Sequence, residues 1–187
     1  MIVPIGQFAK CAKRNIAPAV PTPALIILVD ADACPVKDEI YKVAWRHGVP
    51  VRIVSNAWLR VPDHPLIARV TVSDAFDAVD DWIAERAGPG AAVVTGDILL
   101  ADRCLKAGAA AVIAPNGKPF TPASIGGAIA TRAIMADLRA GADGIMGGPA
   151  PFARADRSRF LSALDAEIAG AKRDKAGPPP RAWVSFE

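Results

Sequence analysis

The strongest constraint on this chain's fold is an alternation of short apolar segments with helical patterns. Leu25-Ile-Ile-Leu-Val29 is apolar throughout and runs directly into Asp30-Ala-Asp32. An unbroken run of about five apolar residues suits a central parallel strand covered on both faces. Pro35 then suits a first helical turn, Val36, Ile40, Val43 and Ala44 keep helical spacing, and Gly48 supplies a stop. The unit recurs. Val51–Val54 reads as a second strand ending at Ser55-Asn56, and Val70–Val72 as a third. Ala75–Ala87 reads as a helix with Phe76, Val79, Ile83 and Ala87 inward, Ala91–Thr95 as a fourth strand, Leu99–Ala107 as a helix, and Ala110–Ala114 as a fifth strand. Such repetition predicts a single α/β domain with a mostly parallel central sheet flanked by helices, in three α/β/α layers.

Beyond residue 114 the pattern changes. Ser124–Leu138 is helical, Gly141–Pro151 is a Gly/Pro-rich loop, and Arg154–Ala169 is amphipathic. The domain is expected over residues 24–170. Residues 1–23 form a loose leader, which an upstream start codon would explain, and 171–187, with Pro178-Pro179-Pro180, form a flexible tail.

Composition narrows the function classes. The chain has 187 residues, 52% of them apolar, enough for one buried sheet. Net charge is +3, mildly basic and compatible with a phosphate-bearing partner without requiring one. Aromatics at 6% make stacking platforms inconspicuous. Cys11, Cys34 and Cys104 are dispersed, with no C-x-x-C pair, which argues against a disulfide framework or structural zinc and fits the cytoplasm. No apolar run approaches the ~18–20 residues that span a bilayer.

In open α/β sheets ligands bind beyond the carboxyl ends of the strands. Strand one ends in Asp30 and Asp32, strand two in Ser55 and Asn56, and strand four in Thr95-Gly96-Asp97, with Asp102 one turn on. Asp77, Asp80 and Asp81 stand on the helix after strand three. Adjacent strands lie roughly 5 Å apart, so these groups can share one cluster. Carboxylates at that density repel unless a cation sits between them, and Mg²⁺ or Mn²⁺ would serve while keeping waters for phosphoryl chemistry.

Structural alternatives stand beside each assignment. Asp32 and Asp97 are also placed to cap the following helices, and Asp77 to cap its own. Asp80 and Asp81 point about 100° apart on a helix, so one at most faces the site; Ile83 on the buried stripe favours Asp80. Lys37, in the first turn of helix one, is a phosphate contact or a solvated lysine. Cys34 has no histidine neighbour and reads as a packed side chain, and His47 and His64 lack metal-ligand spacing.

The segment Val29-Asp-Ala-Asp-Ala-Cys-Pro-Val-Lys-Asp-Glu39 closely resembles the opening of the bacterial YaiI/YqxD family. So do Phe76–Glu85, Val94–Asp102, Pro115-Asn-Gly-Lys-Pro-Phe120 and Gly147-Gly-Pro-Ala-Pro-Phe152, in order, over about residues 26–168. Gly96 and Leu99 stand where many relatives carry Ala and Pro. The family looks related to PIN-like nuclease folds, whose acidic residues bind Mg²⁺ or Mn²⁺. By position Asp30, Asp80 or Asp81, Asp97 and Asp102 take those places. The YaiI/YqxD family has no established activity; the convergence of carboxylates at strand ends, with the PIN-like likeness, predicts a metal-dependent phosphodiesterase or nuclease acting on RNA or another phosphate-bearing substrate. Asp30, Asp97 and Asp80 or Asp81 would bind metal, Asp32 and Asp102 would position water or a second ion, and Ser55, Asn56 and Lys37 would contact phosphate.

A second resemblance competes. Haloacid dehalogenase-like phosphatases also place Asp-x-Asp after strand one, Ser or Thr after strand two and Gly-Asp-x-x-x-x-Asp later, which Asp30, Asp32, Ser55, Gly96-Asp97 and Asp102 satisfy. Asp30 would then be the nucleophile and Asp32 the acid/base. That chemistry needs a lysine, normally between the second and third motifs, and none occurs from Asn56 to Thr95. A module that binds metal or nucleic acid without turnover is a third reading.

Overall fold

A computed structural model describes residues 25–32, 34–141 and 152–176. Six strands form one sheet in the order β3-β2-β1-β4-β5-β6. They are β1 (Ile26–Asp30), β2 (Val51–Ser55), β3 (Ile67–Thr71), β4 (Ala91–Val94), β5 (Ala111–Ile113) and β6 (Pro119–Phe120). All strand pairings are parallel except β5 with β6, an antiparallel strand of two residues with no signal in the residue pattern. The helices are α1 (Lys37–His47), α2 (Ala78–Ala84), α3 (Ile98–Lys106), α4 (Pro122–Gly141) and α5 (Arg154–Ala176).

Alternation along the strands divides the core into two layers. Ile27, Val29, Val51, Ile53 and Ile113 face α1 and α5, where Ile40, Val43, Phe160, Leu164 and Ile168 are buried. Leu28, Val54, Val93 and Val112 face α2, α3 and the start of α4, against Val79, Ile83, Leu100, Cys104 and Ile125. Side chains of successive strand residues point to opposite faces, so wholly apolar strands require helices on both. The three-layer α/β/α arrangement follows.

Local punctuation explains most boundaries. Gly48 ends α1 at φ 62°, the left-handed conformation that glycine adopts without Cβ strain. The α2 helix is shorter than the predicted Ala75–Ala87. Asp77 adopts φ 59°, which breaks the chain direction and starts the helix at Ala78. Phe76 therefore precedes the helix and is 92% exposed, instead of lying on its inner face. The third strand starts earlier than predicted, at Ile67, because its pairing with β2 continues from Val51 to Ser55. At the other end α5 runs through Ala176, so the expected tail does not begin at residue 171; Ile168 and the partly buried Ala171 still pack on the core. The leader, the 142–151 part of the Gly/Pro-rich loop and residues 177–187 lie outside the described residues. Among the described residues no helix is long and apolar enough to cross a membrane.

Candidate functional site

The strand order reverses between β1 and β4: the chain moves from β1 outward to β2 and β3, then returns to place β4 on the other flank of β1. Such a switch point opens a crevice at the carboxyl ends of the two strands. Asp30 is the last residue of β1 and is 9% exposed. Thr95, immediately after β4, is buried beside it.

Thr95 links two aspartates. Its Oγ1 donates to Asp30 Oδ2 at 2.9 Å and accepts the backbone N–H of Asp97 at 3.0 Å. The N–H of Asp32 donates to Asp30 Oδ1 at 3.3 Å. Asp97 caps α3, its Oδ1 accepting from Leu99 N at 2.6 Å and Leu100 N at 3.3 Å. The capping alternative therefore holds for Asp97, and its side chain is fixed at the strand end by that cap. It does not hold for Asp32: Val36 occupies the N-cap position of α1 without a side-chain bond, and Asp32 is exposed. Asp77 occupies the N-cap position of α2, also without a side-chain cap.

The electrostatics bring in a third segment. Burial raises the Asp80 carboxyl to about 6, with Asp97, Asp30 and Asp77 adding repulsion and Arg103 opposing it. Asp30 is also raised, chiefly by burial; Thr95 and the Asp32 N–H pull it down, and the Asp32 and Asp97 charges push it up. Asp30, Asp80 and Asp97 thus lie within one another's field, from β1, α2 and the start of α3. Among the described residues no group of three or more His, Cys, Asp or Glu side chains is placed to hold a metal ion directly. Mg²⁺ characteristically needs less, one or two carboxylates with waters completing its shell. Hard oxygens that repel one another fit such an ion.

Other residues singled out from the sequence stand apart from this trio. Asp81 is exposed and holds Arg103 at 2.6 Å, so of the adjacent pair it is Asp80 that feels Asp30 and Asp97. Asp102 binds Lys106 one turn along α3 at 2.6 Å. Ser55 is buried and donates from Oγ to the Ala57 carbonyl at 2.7 Å, an ordinary turn contact, while Asn56 is exposed. Lys37 is half-buried in the first turn of α1, and its charge and that of Asp30 both act on Cys34. Burial pushes the Cys34 thiol up to about 11, leaving it protonated and unreactive near neutrality. His47 bonds Asp165, and His64 Nδ1 accepts from Leu66 N, so both are structural.

Sequence reasoning noted Thr95 as a strand-end residue and missed its part in the site. A hydroxyl one residue past a buried strand and two before a capping aspartate was the available signal.

A model of the family described as "Uncharacterized BCR, YaiI/YqxD family" matches residues 28–170. A UPF0178 protein of Sphingopyxis alaskensis is 71% identical over 153 residues, covering 82% of this chain and 99% of that one. UPF0178 proteins of Rhodopseudomonas palustris strain BisB5 and of a Jannaschia species are each 59% identical, over 82% and 76% of this chain and 92% of each relative. No solved structure matches. Matching the family model over most of its length, the chain belongs to the YaiI/YqxD family.

Proposed function

We propose that this protein is a metal-dependent phosphodiesterase of nuclease type, with Mg²⁺ or Mn²⁺ held by Asp30, Asp97 and Asp80, directly or through water. One observation carries the reading: aspartates from three separate segments meet and repel one another at the strand-order switch, and Arg103, whose charge opposes this at Asp80, is engaged by Asp81. A bound divalent ion would neutralise phosphoryl charge and supply a water of lowered pKa.

The chain's own groups have distinct tasks in this scheme. Thr95 orients the Asp30 carboxylate, and the α3 cap orients that of Asp97. Asp80, raised to about 6 by burial and by the Asp97 and Asp30 charges while no cation is bound, gains most from a cation placed there, beside which the attacking water would stand. Asp32, exposed beside Asp30, positions that water. Asn56 and Lys37 are left to contact the phosphate, since the Ser55 hydroxyl is engaged with Ala57.

The protein incubated with Mn²⁺ and a panel of RNA, DNA and phosphomonoesters tests the proposal. Polymer cleavage by the wild type, abolished in Asp30→Asn, is the expected result. Phosphomonoester turnover with a trapped phosphoryl-enzyme would replace it with the phosphatase chemistry, and Mn²⁺ binding without turnover would leave a binding module.

A further inference from the structure

Two sequence segments that resemble the family are not used by the acid site: Pro115–Phe120, and Phe152 at the end of Gly147–Phe152. Both line one cleft of about 1120 Å³. It opens where the acid site ends, because Gly96 and Ile98, on either side of Asp97, form part of its wall. We infer that this cleft binds a single-stranded polynucleotide and carries the nucleotides that flank the phosphate held at the acid site; the inference rests on the phosphodiesterase reading above.

Four features point to that occupant. Lys118, Arg132 and Arg159 line the cleft against one carboxylate, Asp156, which already pairs with Arg159 at 3.1 Å. Among the described residues Lys118 and Arg132 have no acidic partner, so the described lining carries an excess of positive charge. This favours a polyanion over a peptide. The cleft, about 1120 Å³ and open to solvent, lies at the top of the roughly 300–1,000 Å³ of small-molecule pockets and has room for more than one nucleotide. Phe152, 37% exposed, offers an aromatic ring that an unpaired base can stack on and a duplex cannot use, while Phe120, half-buried against the core, forms wall.

The walls are also built firmly. Gly117 has φ 83°, and a Cβ there would lie 2.7 Å from the Phe160 backbone nitrogen. The loop bearing Lys118 is therefore seated directly against α5. Phe152 lies 5.4 Å from the Arg157 guanidinium, which in turn pairs with Glu39 at 3.2 Å.

Fluorescence anisotropy of labelled decamers of uridine and of thymidine, titrated with the full chain in EDTA over a range of salt, tests the inference apart from any cleavage. Lys118→Ala/Arg132→Ala should weaken binding and flatten the log-affinity against log-salt slope by about 0.7 per lost cation. Both side chains are exposed, so the fold should be kept, and the thermal shift given by Mn²⁺ should match wild type. Asp30→Asn should lose the Mn²⁺ shift and keep the oligomer binding. Comparison of the two decamers tells RNA from DNA. An unchanged slope in the double variant, a duplex bound as tightly as the single strand, or a nucleoside monophosphate bound as tightly as the decamer would overturn the inference, whether or not cleavage is seen. A flattened slope with no Mn²⁺ binding would support the cleft and remove the acid-site reading alone.

Discussion

Two groups of carboxylates in this molecule meet opposite fates. At the seam between α1 and α5 each buried or half-buried acid has a cation from the chain. Glu39 pairs with Arg157, and Asp165 is shared by Arg46 and His47, both at 2.9 Å. The His47 bond, then Arg46, holds the Asp165 carboxyl below its ordinary range. At the switch point between β1 and β4, Asp30 and Asp80 are displaced upward, by burial and by their acidic neighbours. The carboxylate group is the same in both places. Neutralisation from within the chain marks a structural ion pair; its lack at the switch point is what the proposed cation would answer.

The largest expected effect tests the hydroxyl that ties two aspartates of the acid site together. Thr95→Val removes the hydroxyl that donates to Asp30 and receives the Asp97 N–H, in a buried setting. It should cost about 2–3 kcal/mol, read as a lower urea midpoint at unchanged slope. A neutral result would mean that Asp30 draws no support from β4, and would collapse the proposed link between the strand ends.

Asp80→Asn sharpens the contrast, because it should stabilise. The folded pKa of about 6 lies above the ordinary 3.8, so the penalty is absent below pH 3.8, grows from there to about 6 and is complete above it. At pH 7.5 the variant should gain about 1 kcal/mol, discounted for the half-open position of the side chain. Melting curves at pH 3.5 and 7.5 check it: the gain should vanish at the lower pH.

Asp165→Asn is the smallest and opposite case. Its folded pKa is depressed, so its contribution is present above the ordinary value of 3.8 and is lost as pH falls through the folded value. With Arg46 mostly exposed, the loss at pH 7 should be about 0.5 kcal/mol. Denaturation at pH 7 and at acid pH should show that difference shrink as Asp80→Asn also loses its effect, one from each side of zero.

Much of this was legible in the chain because it is encoded locally. The αL stop at Gly48 and the buried β1 run follow from residue type and period. Ile83, three residues on along the buried stripe, favoured Asp80 while both were kept as candidates, and in the fold Asp80 is half-buried and Asp81 exposed. Less was legible where a local pattern had two solutions. An aspartate ahead of a helix reads equally as cap or ligand, and in the fold Asp97 caps while Asp32 does not. Asp102 read as a site residue, yet Lys106 at i+4 takes its carboxylate. The inward stripe drawn through Phe76 failed because a positive φ at Asp77 starts the helix later.

By itself the sequence determined the alternation of strands and helices, a three-layer α/β/α domain, and membership of a family whose motifs span most of the chain. Those properties depend on periodicity and on residues close together along the backbone. Tertiary structure decided which strand ends are neighbours. Only the order β3-β2-β1-β4-β5 brings Thr95 to Asp30 across 65 residues and sets the Pro115–Phe120 segment beside α5. Parallel strands with similar apolar patterns can be ordered in several ways, and the packing of their crossover helices selects one.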